Sequence, residues 1–384
     1  MPDSYSGQFS NDEWDAVASV LDNGVPVANA DDLSISGRQV QTTLDGFLVP
    51  VSSGLGINDA VDPSASTTPI SDARDAIVTN GSGEGAILYP PENITEAATF
   101  TQSTAKIAHI GWGTQVSAVE FTDLSGNGYE WEDSDLVWFD GIEVSGHDDA
   151  NRTGGSAWRF TASAMSDFNV GRVAFRKWAG PDPVIHFDTG HVFSSNWFKL
   201  RAGSLNEGTF FAAHDSFGPG FHLGNIRASI GTKDPILDIT DGAGGFVSDV
   251  GFSIGSLNIG GSSGEAVVSR IQNGDGHIDE ITWFGSSVTA IVDALAGAGI
   301  SINSVRAAGG ATVDAIYRTS GSHSGRYPVP QDANVTVSVN RLEVESDVTV
   351  EPNIYEGGSA DVTNNSGGSL SEPVSCLGDL TLVS

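Results

Sequence analysis

Between residues 183 and 231 the chain reads PVIHFDTG (183–190), SSNWFKLRA (194–202), GTFFAAHD (208–215) and FHLGNIRASIG (221–231). Two kinds of short segment alternate here. The first kind extends in both directions as AWRFTA (157–162), PILDITDG (235–242), EAVVSRIQNG (265–274), TAIVDALAG (289–297) and TVDAIYRTS (312–320). The second continues as SDFNVGRVAFRKW (166–178), FVSDVGFSIGSLNIGG (246–261), HIDEITWFG (277–285) and ISINSVRAAGG (300–310). Taking Trp158, Ile185, Phe210, Leu237, Val267, Ile291 and Val313 as equivalent gives steps of 27, 25, 27, 30, 24 and 22 residues. A loose period of this size marks a repeat architecture. The variation falls in turns rich in Gly, Asp and Ser.

Within each segment apolar and polar residues mostly alternate, which puts one strand face inside and one in water. No single unit is long enough to bury its own apolar face, so stacking of units must close the core. The expected fold is therefore all-β: a right-handed, single-stranded parallel β-helix over residues 71–322. A leucine-rich repeat has a comparable period but requires a Leu ladder and a fixed Asn, both missing. A β-sandwich accounts for short strands but not for their paired recurrence.

The flanks read differently. Residues 1–70 form an N-terminal adaptor. It holds a helix signal at Ser10–Glu13 with Trp14, Val17 and Leu21 at helical spacing, a strand-like stretch from Leu33 to Pro50, and a linker rich in Gly, Ser, Pro and Thr. Ser71 is placed to cap a short helix carrying Ala73, Ala76 and Ile77, a suitable cover for the open end of a stacked core. Residues 323–384 are expected to be a separate C-terminal β-element. There Val335, Val337, Val339, Leu342 and Val344 alternate as hairpin or sandwich strands, and NNSGG (364–368) turns into a last strand near Leu380–Val383.

Composition bounds the function. The 384 residues carry 49 acidic and 17 basic side chains, a net charge of −32. Two readings account for this: adaptation to molar salt, where the Debye length falls to about 3 Å, or binding of polyvalent cations or basic partners. With no basic patch evident, nucleic acid is not an expected partner. The single cysteine, Cys376, excludes an intrachain disulfide. No apolar run is long enough to cross a membrane, so membrane insertion is not expected. The N-terminal MPDSYSGQFSNDEW lacks the basic and apolar regions of a signal peptide.

Residues 71–146 run from an Ala-rich helix (DARDAIV) through a Gly turn (GSGEG) and a strand ending in Pro (ILYPP) to IAHIGWGT (107–114). This order resembles the start of pectate-lyase-like β-helices, including phage tailspikes. The family's Gly after the Pro pair is replaced here by Glu92-Asn93. Combined with the strong acidity, the adaptor, β-helix and small C-terminal element resemble a virion adhesion protein of a haloarchaeal tailed virus. That resemblance implies a tail fibre, tailspike or capsid-surface spike in an extracellular, high-salt setting. It also implies a homotrimer that contacts other virion proteins through its N-terminal segment and holds a host-surface glycan or S-layer glycoprotein.

A tailspike of this fold can also be a glycan-cleaving enzyme, either a glycoside hydrolase or a polysaccharide lyase. Hydrolysis requires two carboxylates about 5–9.5 Å apart, and coils stacked about 4.8 Å apart can supply that spacing. Asp188, Asp215 and Asp238 follow equivalent strands and are the catalytic candidates, with Glu207 and Asp241 nearby. Turn aspartates also bond their own backbone. A lyase would need a base, and the nearest basic residues are Arg172, Arg176, Lys177, Lys199 and Arg201. These suit surface ion pairs or contacts to sugars or acids better.

Aromatic faces stack on sugar rings. Of Trp112, Trp131, Trp138, Trp158, Trp178, Trp197 and Trp283, the expected exposed platform is Trp138, Phe139, Trp178 and Trp197. Asp148 and Asp149, in GHDDAN (146–151), are oxygen ligands suited to Ca²⁺ or Mg²⁺. His186, His191, His214 and His222 lie on or beside strands without zinc-site spacing.

Overall fold

A computed structural model of the chain describes most of residues 66–308. It also describes backbone in the outlying strands Ser34–Ile35, Arg38–Gln39, Leu48–Pro50, Thr312–Val313, Tyr317–Thr319, Thr336–Val344, Thr349–Val350, Ala360–Thr363 and Leu380–Val383. Segments 133–137, 148–150, 204–208 and 241–248 are among the interruptions. The expected helix after Ser10, the turn at 364–368, and Asp148, Asp149, Glu207 and Asp241 lie outside the described residues.

The fold is an all-β parallel solenoid with one short helix among the described residues. Strands stack coil on coil in parallel register, from Glu84–Leu88 through Lys106–Ile110, Trp138–Asp140, Asn169–Arg176 and Ser195–Ala202 to Phe211–Ile230. The stack continues through Asp249–Gly261, Asp275–Gly285 and Gly299–Ala308. A neighbouring stack carries Tyr129–Trp131, Trp158–Phe160, Ile185–Phe193, the start of Phe211–Ile230, and Leu237–Thr240.

The pairing corrects the expected register. The residues that pair across coils are Trp158, Ile185, Phe211, Leu237, Ser269, Val292 and Tyr317, with steps of 27, 26, 26, 32, 23 and 25. Val313 belongs elsewhere, paired with Val350. The stack also passes both expected boundaries. Leu48–Pro50 pairs in parallel with Glu84–Leu88, and Thr336–Val344 pairs in parallel with Gly299–Ala308. The alternation around Val337 and Val339 thus belongs to another coil rather than to a hairpin. Strict alternation specifies a strand with one buried face and does not say whether its neighbour runs parallel or antiparallel.

Helix α1 (Pro69–Asn80) covers the first coil. It starts two residues before the expected cap. Thr68 precedes Pro69, whose missing N–H and fixed φ suit the first helical position. Ile70, Ala73 and Ile77 recur on one face and are fully buried, with Ala76 packed beside them. That face lies against Leu48–Pro50, Glu84–Leu88, Asn93–Glu96 and Phe100–Gln102. The orphan donors of the first turn point at Glu96, itself fully buried. Its carboxylate accepts from Ile70 N–H at 2.9 Å and Ser71 Oγ–H at 2.8 Å.

The core changes character along the axis. In the first coils it is built from rings: Phe100, Tyr129, Trp131, Phe139, Trp158, Phe160, Phe175 and Phe187 are all buried. Phe160 and Phe187 occupy equivalent positions and stack with centroids 4.1 Å apart. Later coils substitute Ile254, Leu257, Ile259, Ile278, Ile281, Ile302 and Val305. Where coils turn, glycine permits contact between backbones. Gly141 has φ +74°, and a Cβ on Gly111 would lie 2.4 Å from the Gly141 carbonyl oxygen. That close approach explains the IAHIGWGT turn.

Candidate functional site

The main stack has a corner at which two consecutive residues face outward. In Ser195–Ala202 the side chains of Trp197 and Leu200 are buried, while Phe198 and Lys199 between them are exposed. The same interval separates Val170 from Val173 and Leu223 from Ile226. The strand bends here, and its outer side carries a groove of about 440 Å³.

Two exposed rings stand over this groove. Trp138 is 48% exposed and Phe198 66%. Phe198 lies on the second coil beyond Trp138, about 10 Å away along the axis. Gly171 and Gly224 flank Phe198 on the adjacent coils, so the ring projects over bare backbone. Side chains do not fit at either glycine: a Cβ on Gly171 would meet Asp140 Oδ1 at 2.2 Å, and one on Gly224 would meet the Phe198 carbonyl at 2.6 Å.

Polar side chains complete the groove. Trp138, Asn169, Asn196 and His222 occupy one column on successive coils, which continues through Ser253, His277 and Ser301. His222 Nδ1 is 3.1 Å from Ser253 Oγ. Asp140 Oδ1 accepts from Arg172 N–H at 2.7 Å, and Arg172 lines the same groove. Exposed aromatic faces beside amides, a carboxylate, a histidine and an arginine can stack on a sugar ring and bond its hydroxyls.

The expected aromatic platform is therefore only partly formed. Trp138 is exposed, whereas Phe139, Trp178 and Trp197 are buried to 0%, 1% and 1% exposure. Phe139 follows Trp138 and takes the opposite strand face. Trp197 donates Nε1–H to buried Ser195 Oγ and packs on Phe168. Trp178 donates to Val144 O at 3.2 Å and lies under the Arg152 guanidinium at 3.8 Å. Phe198, absent from the expected set, replaces them.

The expected carboxylate column is not formed. Asp188 is in register with His214 and Thr240, whereas Asp238 is in register with Ala212 and His186. A two-residue offset across two coils puts Asp188 and Asp238 about 12 Å apart at Cα, so they do not stack in one column. Asp215 lies in the strand Phe211–Ile230, and its side chain is outside the described residues.

Asp238 instead contacts one member of a histidine pair, beside Asp188. His186 Nε2 is 3.0 Å from His214 Nδ1, and His214 Nε2 is 3.5 Å from Asp238 Oδ2. Asp238 also accepts from Thr240 Oγ1–H at 2.9 Å. Burial, reinforced by the neighbouring His214, lowers His186 to about 4 and keeps it neutral. At Asp188 burial acts upward, but the 2.6 Å bond from Arg159 outweighs it and holds the carboxyl below its usual range. The cluster can share protons, but Asp188 is committed to Arg159. Among the described residues no group of three or more His, Cys, Asp or Glu side chains is arranged for a metal ion.

No protein-family model, curated protein or solved structure matches the chain.

Proposed function

We propose that this chain is a structural, glycan-binding protein of a virion surface, a tail fibre or spike that attaches to a host through its solenoid flank. The observation that carries this reading is the exposed pair Trp138 and Phe198 over the glycine-floored groove. Exposed apolar patches rimmed by polar groups mark binding grooves, and two rings on one groove define a path along the axis. The parallel solenoid and the acidic composition support the virion assignment. The homotrimer and its docking through the N-terminal segment belong to the same proposal. Attachment is favoured over cleavage because Asp188 and Asp238 share no column and are engaged with Arg159 and His214.

The test is binding of host-envelope polysaccharide and surface glycoprotein to the wild type and to Trp138→Ala/Phe198→Ala. Loss of binding in the double variant, with no new reducing ends or unsaturated sugars, supports the proposal. Release of either product sinks the purely adhesive reading, and equal binding by both proteins sinks the groove. A mass measurement in high salt tests the trimer, and a monomer there counts against a fibre.

A further inference from the structure

In a chain with 49 acidic and 17 basic residues, every cation has potential partners. Beside the groove, four basic side chains nevertheless stand exposed with no ion pair or side-chain hydrogen bond among the described residues. They form two neighbouring columns. Arg172 pairs in register with Lys199, and Arg201 pairs with Arg227. Lys199 and Arg201 are alternate residues of one strand and lie on one face. The result is a compact cationic strip on adjacent coils, contiguous with Phe198 and, through Arg172, with the groove itself. The separated segments that supply it are why no basic patch is evident in the linear sequence.

The nearby acids make no direct ion pair with the strip among the described residues. Glu143 bonds Arg176 at 3.1 Å and, two coils before Arg201 in the second column, reaches it only through its field. Asp140 bonds the Arg172 backbone rather than its guanidinium. Along the first column the next residues are Asn225 and Ser256, and Glu280 enters only beyond them. Like charges held together repel, and the excess of acid in a chain of net charge −32 would attract them into pairs. A strip kept unpaired beside two sugar-stacking rings fits a ligand that supplies the counter-charge.

Resting on the groove described above, we propose that the ligand is an anionic glycan, carrying carboxylate or sulfate groups that lie on Arg172, Lys199, Arg201 and Arg227 while its rings stack on Trp138 and Phe198. Arginine forks and a lysine point charge suit such groups. The full chain is tested for binding to oligogalacturonate, dextran sulfate, uncharged dextran and polyphosphate at a fixed salt concentration. Two variants are compared with the wild type: Arg172→Gln/Lys199→Gln/Arg201→Gln/Arg227→Gln and Trp138→Ala/Phe198→Ala. Their solenoid content is verified by circular dichroism.

At least one anionic glycan should bind more tightly than dextran, weaken with added salt, and lose about tenfold or more in the charge variant. Equal binding of dextran, retained in the charge variant, overturns the anionic assignment and leaves the groove intact. Anionic binding that survives loss of the rings but not of the charges sinks the groove and keeps the strip. Polyphosphate binding as strong as the glycans', and independent of the rings, overturns the glycan assignment. No binding of either anionic glycan overturns the proposal outright.

Discussion

Replacing Glu96 with glutamine should remove a pH dependence that the wild type conceals. Glu96 is fully buried beneath the first turn of α1, and burial raises it from 4.5 to about 7 against the bonds from Ile70 and Ser71. A raised folded value means that the stabilising contribution is complete below 4.5 and is lost as pH climbs through about 7. At about 1.4 kcal/mol per unit, that loss is about 3 kcal/mol. His109, also fully buried, moves the other way: burial lowers it from 6.5 to about 3. Its contribution is present above 6.5 and is lost as pH falls through about 3. Between 4.5 and 6.5 these two slopes oppose and nearly cancel. The side chain of Glu96→Gln cannot titrate but still accepts from Ile70 N–H. Urea midpoints measured from pH 4 to 8 on both proteins let every other carboxylate cancel in the difference. Wild type minus variant should fall by about 3 kcal/mol across this window. Parallel curves refute the reasoning. A difference that rises with pH also refutes it, since the helix N-terminus would then outweigh burial.

Trp158→Ala, in the ring core, should lower stability by about 3–5 kcal/mol, while Trp112→Ala, 69% exposed, should stay within about 0.5 kcal/mol; paired denaturation curves check both. Gly141→Ala should destabilise by about 1–3 kcal/mol, because the residue sits at φ +74° against Gly111. Arg152→Ala removes two bonds to the carbonyls of Asp123 and Gly126 and uncovers Trp178. It should cost about 1–3 kcal/mol and shift the Trp emission. Asp188→Asn breaks only a half-exposed pair with Arg159; it should change stability by less than about 1 kcal/mol and leave glycan binding intact.

The coil repeat was legible because short alternating segments must stack to bury a face. Its register was less so. In Phe210–Ala213 all four side chains are buried, so hydrophobicity there does not say which ones face the core, and the expected equivalence falls on Phe210 instead of Phe211. The platform failed for a related reason: aromatic character marks Phe139 and Trp197 without saying which way they point. Aligning NVGRV, NWFKL, HLGNI, SIGSL, HIDEI and SINSV would have resolved it. Trp197 falls in a column with Val170, Leu223 and Ile254, and Phe198 falls with Gly171, Gly224 and Gly255. The double outward step at the corner is the missing signal, since simple alternation puts Phe198 and Lys199 on opposite faces. Asp188 and Asp238 look equivalent by the apolar ends of their strands, whereas the pairing sets them two residues apart.

The passage from a ring-built to an aliphatic interior gives the molecule an optical polarity. Buried Trp131, Trp158, Trp178 and Trp197 all lie in the early coils, and past them only Trp283 absorbs and emits as an indole. In a quasi-one-dimensional stack each coil depends chiefly on its neighbours. Indole fluorescence therefore watches the front of the stack, while far-ultraviolet dichroism averages its whole length. If the rear coils open first, dichroism will fade while the emission changes only by the share of Trp283, and the gap between the two signals will measure how far a disturbance has travelled.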